Sequence, residues 1–421
     1  MPYGWSLQAQ KGGLAVPIVT SFVGGTCLMG AYTVLNTYLG GLVQSLLGHS
    51  HPETVQMIQK SAAELDHLLS NMISPPLVDL GERLRRILPR PLEKSFFLNT
   101  GGESVEAAIK LAKCYTGKFE IIAFSASYHG LTQGVVSATY SAGRKFGGPV
   151  MPGQFAFPVP YAYRSPFRHE DGSYDWETEM EYGWSLIDRQ TVGSIAAFVM
   201  EPILSTGGVL ELPKGYLTKM GIECKKRGIL MISTKPKQGW DEGFVPDILC
   251  LSKTLGCGLP LSSISTTAEI ENGANAAGFM WLTTHSNDPL PAAIGDKVLE
   301  IVERDRICER AAERGEQLSL GLLCLQKKHW CVGDVRGRGL LQGIEISSDV
   351  ETKESGSTLG QAVSERALSK GLSCNIITYP GMGDVFCLAP PVTVTATEID
   401  EGLEILDEAF AYVLNERAIR N

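Results

Sequence analysis

Between residues 52 and 290 the chain keeps returning to one pattern: a stretch with helical periodicity, then a short run of apolar residues. Residues 95–98 (S-F-F-L), 120–124 (E-I-I-A-F), 195–200 (I-A-A-F-V-M), 229–233 (I-L-M-I-S) and 247–252 (D-I-L-C-L-S) are such runs, and residues 106–115 (E-A-A-I-K-L-A-K-C-Y) read as a helix between two of them. Short apolar runs between helices predict an α/β fold with a mostly parallel sheet covered on both faces. Residues 297–314 predict one long amphipathic helix. The remainder opens on G-D-V-R-G-R-G-L-L-Q-G-I-E-I and predicts a smaller α+β unit closing with a helix from Thr397. A second domain beginning near residue 300 follows.

The chain has 421 residues, 44% of them hydrophobic and 20% charged, which leaves room for a large core and more than one domain. A net charge of −9 argues against a nucleic-acid partner held by a basic surface. Ten cysteines without C-x-x-C pairs predict reduced thiols and a cytoplasmic setting. Residues 12–52 hold no Asp, Glu, Lys or Arg, a length that fits a membrane span. Pro17, Gly24, Gly25, Gly30 and several threonines interrupt it, so the expectation is a buried, strand-rich segment and no membrane.

Ligands of open α/β sheets bind at the carboxyl ends of the strands. There the sequence places Glu201, Thr234 and Lys253, and after S-F-F-L the run Asn99-Thr100-Gly101-Gly102-Glu103-Ser104. Glycines opening a helix let backbone N–H groups approach an anion. A lysine ending a buried strand is poised to lose its proton by desolvation and to form a Schiff base with an aldehyde cofactor. Tyr128, beside His129 in S-Y-H-G, offers a ring to stack on a planar cofactor. Taken singly, each has a plain structural alternative: a glycine-rich helix cap, a lysine reaching for water, a core tyrosine. In this order they form a stronger signal.

The series T-G-G-E-S-V-E-A-A-I-K, S-Y-H-G, M-E-P-I, L-S-K-T-L-G-C-G-L-P, T-T-H-S-N-D-P-L and R-G-R-G-L-L-Q-G resembles the class III aminotransferases of fold type I, enzymes that use pyridoxal 5′-phosphate (PLP). S-A-T-Y-S-A-G-R-K, E-P-I-L-S-T-G-G-V-L-E-L-P, G-H-S-H-P-E and P-G-M-G-D-V-F look most like the 2,2-dialkylglycine decarboxylase type within that family. The resemblance runs from about residue 48 to the C-terminus. It implies an N-terminal segment (1–48) belonging to the small domain, a large PLP-binding domain (49–300) and a C-terminal small domain (301–421).

The resemblance also implies roles. Lys253 is the Schiff-base lysine and proton shuttle, Glu201 orients its neighbours near the cofactor, and Tyr128 stacks on the ring with His129 beside it. Thr100, Gly101 and Gly102 hold the phosphate, with Thr284 reaching in from a second subunit, so a homodimer with shared sites is implied. An alkali cation, K+ or Na+, is implied at Leu68, Ser70, Thr284, Ser286 and Asp288. The substrates implied are an amino acid or amine and a keto acid, through decarboxylation-dependent transamination.

The departures from the family pattern fall on the chemistry. Thr234 stands where the family has the aspartate that keeps the ring nitrogen protonated, and Lys237 where it has a glutamine. Cys387 replaces the arginine that holds the substrate carboxylate, and Leu42 falls where a substrate-orienting glutamine is expected. These changes leave open an impaired or altered decarboxylase, an inactive PLP-binding paralogue serving as a dimer partner, and an ordinary ω-aminotransferase.

Overall fold

The computed structural model describes residues 46–141, 144, 148–234, 243–349, 351–379 and 383–420. Leu42, Lys237 and most of the charge-free N-terminal stretch lie outside these. The large sheet is built from β1 (Lys94–Leu98), β2 (Glu120–Phe124), β3 (Gln154–Phe157), β4 (Ile195–Met200), β7 (Leu230–Ser233), β8 (Ile248–Leu251) and β9 (Ser262–Thr266), while β5 (Ile203–Leu204) and β6 (Leu210–Glu211) form a separate two-stranded ribbon. Strand order is β1-β9-β8-β7-β4-β2-β3. The five strands from β8 to β3 run parallel; β9 is antiparallel to both β8 and β1.

Every residue of β2 and β4 is buried, as their continuous apolar runs require. Successive side chains point to opposite faces. Ile122 and Phe124 join a cluster with Phe157, Trp184, Phe198 and Tyr216, whereas Ile121 and Ala123 join one with Ala107, Leu111 and Val199 on the other face. Register aligns the strand ends. Met200 pairs with Ser233, so Glu201 and Thr234 leave neighbouring strands side by side.

A second sheet, β10 (Val332–Arg338), β11 (Leu341–Asp349), β14 (Gly383–Leu388) and β13 (Asn375–Tyr379), is antiparallel throughout, with β12 (Glu354–Ser355) paired to β11. Its core also takes in Leu47, Ile294, Val298 and Ile301. The single helix expected over 297–314 is two, Pro289–Arg304 and Ile307–Lys328. The break falls at Arg306, whose φ is 52°. Ile301 and Ile307 from the two helices bury in the same core, so apolar periodicity carries straight across the bend and conceals it. The last helix starts at Ala396, one residue before the expected Thr397. No helix among the described residues is long and apolar enough to cross a membrane.

The two sheets are tied together by the fully buried Glu345 on β11. Its carboxylate accepts from Arg164 Nε at 2.8 Å, from Arg336 Nη2 at 2.7 Å and from the Tyr161 hydroxyl. Arg336 Nε also donates to the Gly208 carbonyl at 2.9 Å, in the turn of the β5–β6 ribbon. Removing one member of a buried ion cluster strands the others without compensation, at a cost of about 3–5 kcal/mol. Glu345→Leu should therefore lower unfolding stability in urea by about that amount. A loss below roughly 1 kcal/mol, the range of exposed pairs, would show the cluster to be dispensable.

Candidate active site

The helix Gly101–Thr116 starts at the carboxyl edge of the large sheet and is capped from its own sequence. Thr100 Oγ1 accepts the Glu103 N–H at 3.2 Å, and Glu103 Oε2 accepts both the backbone N–H and the side-chain amide of Asn99 at 2.9 Å. Burial pushes the Glu103 carboxyl up, but hydrogen bonds from Asn99, Thr283 and Trp281 hold it below the ordinary carboxyl value. The Thr100 carbonyl in turn accepts the Ser262 hydroxyl of β9 at 2.8 Å, which pins this helix start to the sheet.

Two glycines make the close approaches. A Cβ on Gly101 would lie 2.8 Å from Ser252 Oγ and 3.3 Å from Ser252 Cβ. A Cβ on Gly130, whose φ is +137°, would lie 2.8 Å from Gly102 Cα. The helix N-terminus is thus wedged between the residue preceding Lys253 and the S-Y-H-G turn. Its first N–H groups have no helical partner and carry the positive end of the helix dipole, an arrangement that takes an anion.

The S-Y-H-G turn is held from behind. Tyr128 N–H donates to Glu201 Oε1 at 2.9 Å, and Glu201 is only 2% exposed. His129 N–H donates to Thr139 Oγ1 at 3.0 Å, whose hydroxyl donates to the Gly130 carbonyl at 2.9 Å. The Tyr128 ring is half-buried, and burial raises its phenol pKa, so it is neutral at physiological pH. Thr234 Oγ1 lies 3.5 Å from His129 Nδ1 and 3.3 Å from the Met200 carbonyl.

Lys253 corrects the expectation of a buried lysine. β8 ends at Leu251, and the chain then turns through a short 3-10 segment, Lys253–Gly256, with Lys253 itself at φ 52° and exposed in the single chain. The lysine thus sits in a left-handed turn at the carboxyl edge of the sheet rather than within the buried strand. Cys387 lies in the second sheet on β14, opposite Gly343 on one side and Asn375 on the other.

A model of the family described as aminotransferase class-III matches residues 35–410. The chain belongs to the class III aminotransferases. It is 44% identical over 389 residues to an uncharacterized aminotransferase of Schizosaccharomyces pombe, covering 90% of this chain and 87% of the relative. It is 32% identical over 384 residues to a probable 4-aminobutyrate aminotransferase of Bacillus subtilis, covering 88% and 87%. An amine transaminase from an uncultivated Pseudomonas species, solved in its PLP-bound form, superposes with a TM-score of 0.80 at 25% identity over 90% of each chain. PLP is the cofactor of class III aminotransferases, and the fold is that of the fold type I PLP enzymes.

The oxygens expected to hold an alkali cation come from two loops that the aminotransferase fold does bring together. The Ser70 carbonyl accepts the Asn287 amide at 2.8 Å, the Ser286 and Thr283 hydroxyls are 2.8 Å apart, and Asp288 meets His67 and His285. Of the expected set, Ser70, Ser286 and Asp288 therefore already have protein partners, which sequence spacing could not show. Leu68 lies between His67 and Ser70, and Thr284 is exposed. The sequence reading passed over Ser252, Gly130, Thr139 and the two histidines. Ser252 and Gly130 stand inside quoted motifs, but only their contacts with Gly101 and Gly102 reveal why serine and glycine are there.

Gly101→Ala forces Ser252 away from the helix start, with overpacking strain of about 1–3 kcal/mol. PLP affinity in a fluorescence titration should fall by roughly tenfold or more. Adding Ser252→Ala removes the oxygen at 2.8 Å and should restore much of the loss. Unchanged affinity in Gly101→Ala would separate the cradle from the cofactor.

Proposed function

We propose that this class III aminotransferase carries PLP on Lys253 and transfers an amino group from an amine or ω-amino acid to a keto acid. The observation that carries this reading is the packing of Gly101 on Ser252 and of Gly102 on Gly130, which gathers the anion cradle, the lysine and the tyrosine at one sheet edge. When bound, PLP supplies an aldehyde that takes up an amine nitrogen and a conjugated ring that draws electrons from the adjoining carbon.

The chain's own residues do the rest. The N–H groups at Gly101 and Gly102, with the Thr100 hydroxyl, would hold the phosphate dianion. Tyr128 would stack its ring on the cofactor, and Glu201 fixes that tyrosine through the backbone. Lys253 would hold the aldehyde through its amine and could carry a proton to and from the substrate carbon. Thr234, beside His129, would offer the ring nitrogen a hydroxyl, which cannot balance a positive charge there as a carboxylate does. The Cys387 thiol cannot make the bidentate contact that arginine makes with a carboxylate. This favours a donor whose carboxylate is absent or remote, in keeping with the 4-aminobutyrate aminotransferase among the relatives.

A decarboxylating variant, suggested by E-P-I-L-S-T-G-G-V-L-E-L-P at 201–213, differs in one observable: 2-aminoisobutyrate would release CO2. The full chain titrated with PLP should gain the visible absorbance of lysine-attached cofactor and lose it in Lys253→Ala. No such absorbance at saturating PLP would reject the catalytic reading and leave an inactive partner chain. A charge-assisted hydrogen bond contributes about 1.5–3 kcal/mol, so Thr234→Asp should raise kcat by roughly tenfold or more. No gain would remove the ring-nitrogen role of Thr234.

The reading includes a homodimer. Leu69 and Ile73 on one loop, and Met280 and Leu282 on the loop that carries Thr284, are 63–76% exposed in the single chain. Beside them lies a cavity of about 330 Å³ lined by Ile73, Val78, Phe279 and Trp281. Apolar surface of this kind marks an interface. Ile73→Asp should shift the chain to monomer in size-exclusion chromatography and weaken PLP binding with it. A dimer unaffected by this charge would place the interface elsewhere.

A further inference from the structure

We propose that His67, His285 and Asp288 form a binding site for a divalent transition-metal ion of the zinc class. His67 comes from the loop between the helices Pro52–Glu64 and Pro75–Ile87, and the other two from the loop that precedes Pro289–Arg304. His67 Nδ1 lies 2.6 Å from Asp288 Oδ1, and His285 Nδ1 lies 2.8 Å from Asp288 Oδ2. The imidazole centroids are 5.0 Å apart, and one ligand atom from each of the three residues falls within 4.8 Å of the others. More than two hundred residues of chain separate His67 from the other two, so the meeting is a product of the fold.

Asp288 holds an unusual position. It is the N-cap of its helix, yet its side chain makes no capping hydrogen bond. At 9% exposure its carboxylate is turned away from the helix backbone and toward two imidazoles. Two imidazole nitrogens and one carboxylate are the donor set of open zinc sites, which leave a fourth position for water. Nitrogen donors of this kind suit zinc, copper or nickel, whereas an alkali cation wants oxygens alone. The site therefore differs in its donors and its metal from the oxygen set expected at Leu68, Ser70, Thr284, Ser286 and Asp288.

The nitrogen–oxygen separations are those of hydrogen bonds. Bonds of about 2.0 Å to a tetrahedral ion would open them to roughly 3.3 Å. Asp288 is packed in place, whereas in the single chain the His67 and His285 side chains are 46% and 63% exposed, so the imidazoles are the groups that would make that shift. An ion here clamps the two loops together, alongside the Asn287 bond to the Ser70 carbonyl. The clamp is linked to the helix start at Thr100, since Ser286 bonds Thr283, which lies 3.4 Å from the Asn99 amide.

The test uses the full chain purified with PLP, freed of metal by chelator and titrated with Zn2+ by calorimetry and thermal unfolding. A single zinc per chain that raises Tm, with Co2+ giving a visible absorption band in its place, is the expected result. Loss of one ligand should cost at least as much as loss of an outer-shell partner, roughly 10–100-fold in affinity. His67→Ala and His285→Gln should each show this while keeping PLP absorbance, which certifies the fold. Three results overturn the site: no zinc uptake, zinc readily displaced by K+, or uptake in both variants unchanged from that of the parent chain. The last would place zinc on surface thiols such as Cys308 and Cys324, which are exposed.

Discussion

The close approach of the helix start at Gly101 to Ser252 is the contact on which the candidate site depends. No side chain other than hydrogen fits at Gly101 without displacing the serine, and Gly130 repeats the condition on the far side against Gly102. These two contacts draw the turn at Tyr128 and the turn at Lys253 to one helix N-terminus. The dipole of that helix then acts on whatever anion lies between them. Without the glycines the same elements would still form the same sheet, but its carboxyl edge would hold three separate loops.

The second constraint is the buried cluster around Glu345. It joins residues after β3 and in the β5–β6 ribbon to β10 and β11 of the second sheet, so the strand carrying Cys387 keeps a defined relation to the large sheet. Such a cluster contributes little net stability compared with apolar packing, because both charges are desolvated. Its effect is directional. The guanidinium of Arg336 reaches Gly208, Asp334 and Glu345 together in one placement of the two sheets.

Much of this was legible in advance. Largely apolar runs locate β1, β2, β4, β7 and β8, because strands covered on both faces are rich in apolar residues. The family resemblance, carried by motifs at the turns, agrees with the family model that spans residues 35–410. The decarboxylase type within the family is a finer reading that rests on the sequence phrases alone. Where the reading failed, it failed on direction. The bend at Arg306 is invisible to periodicity because both helices present their apolar faces to the same core. Lys253 read as buried because its strand is, yet the strand ends at Leu251 and the lysine, in a left-handed turn, is exposed in the single chain.

By itself, the sequence determined the layered α/β architecture, the order of the motifs along the chain, and the identities of Thr234 and Cys387 on which the proposed chemistry turns. These depend on local composition and on the identity of single residues. The tertiary structure alone decided which of those residues meet. Gly101 reaches Ser252, Thr234 sits beside His129, and His67 converges with His285 on Asp288 through strand register and loop packing across long separations in the chain. The physical reason is that a linear pattern encodes which face a side chain presents, whereas contact between distant turns depends on how whole elements pack.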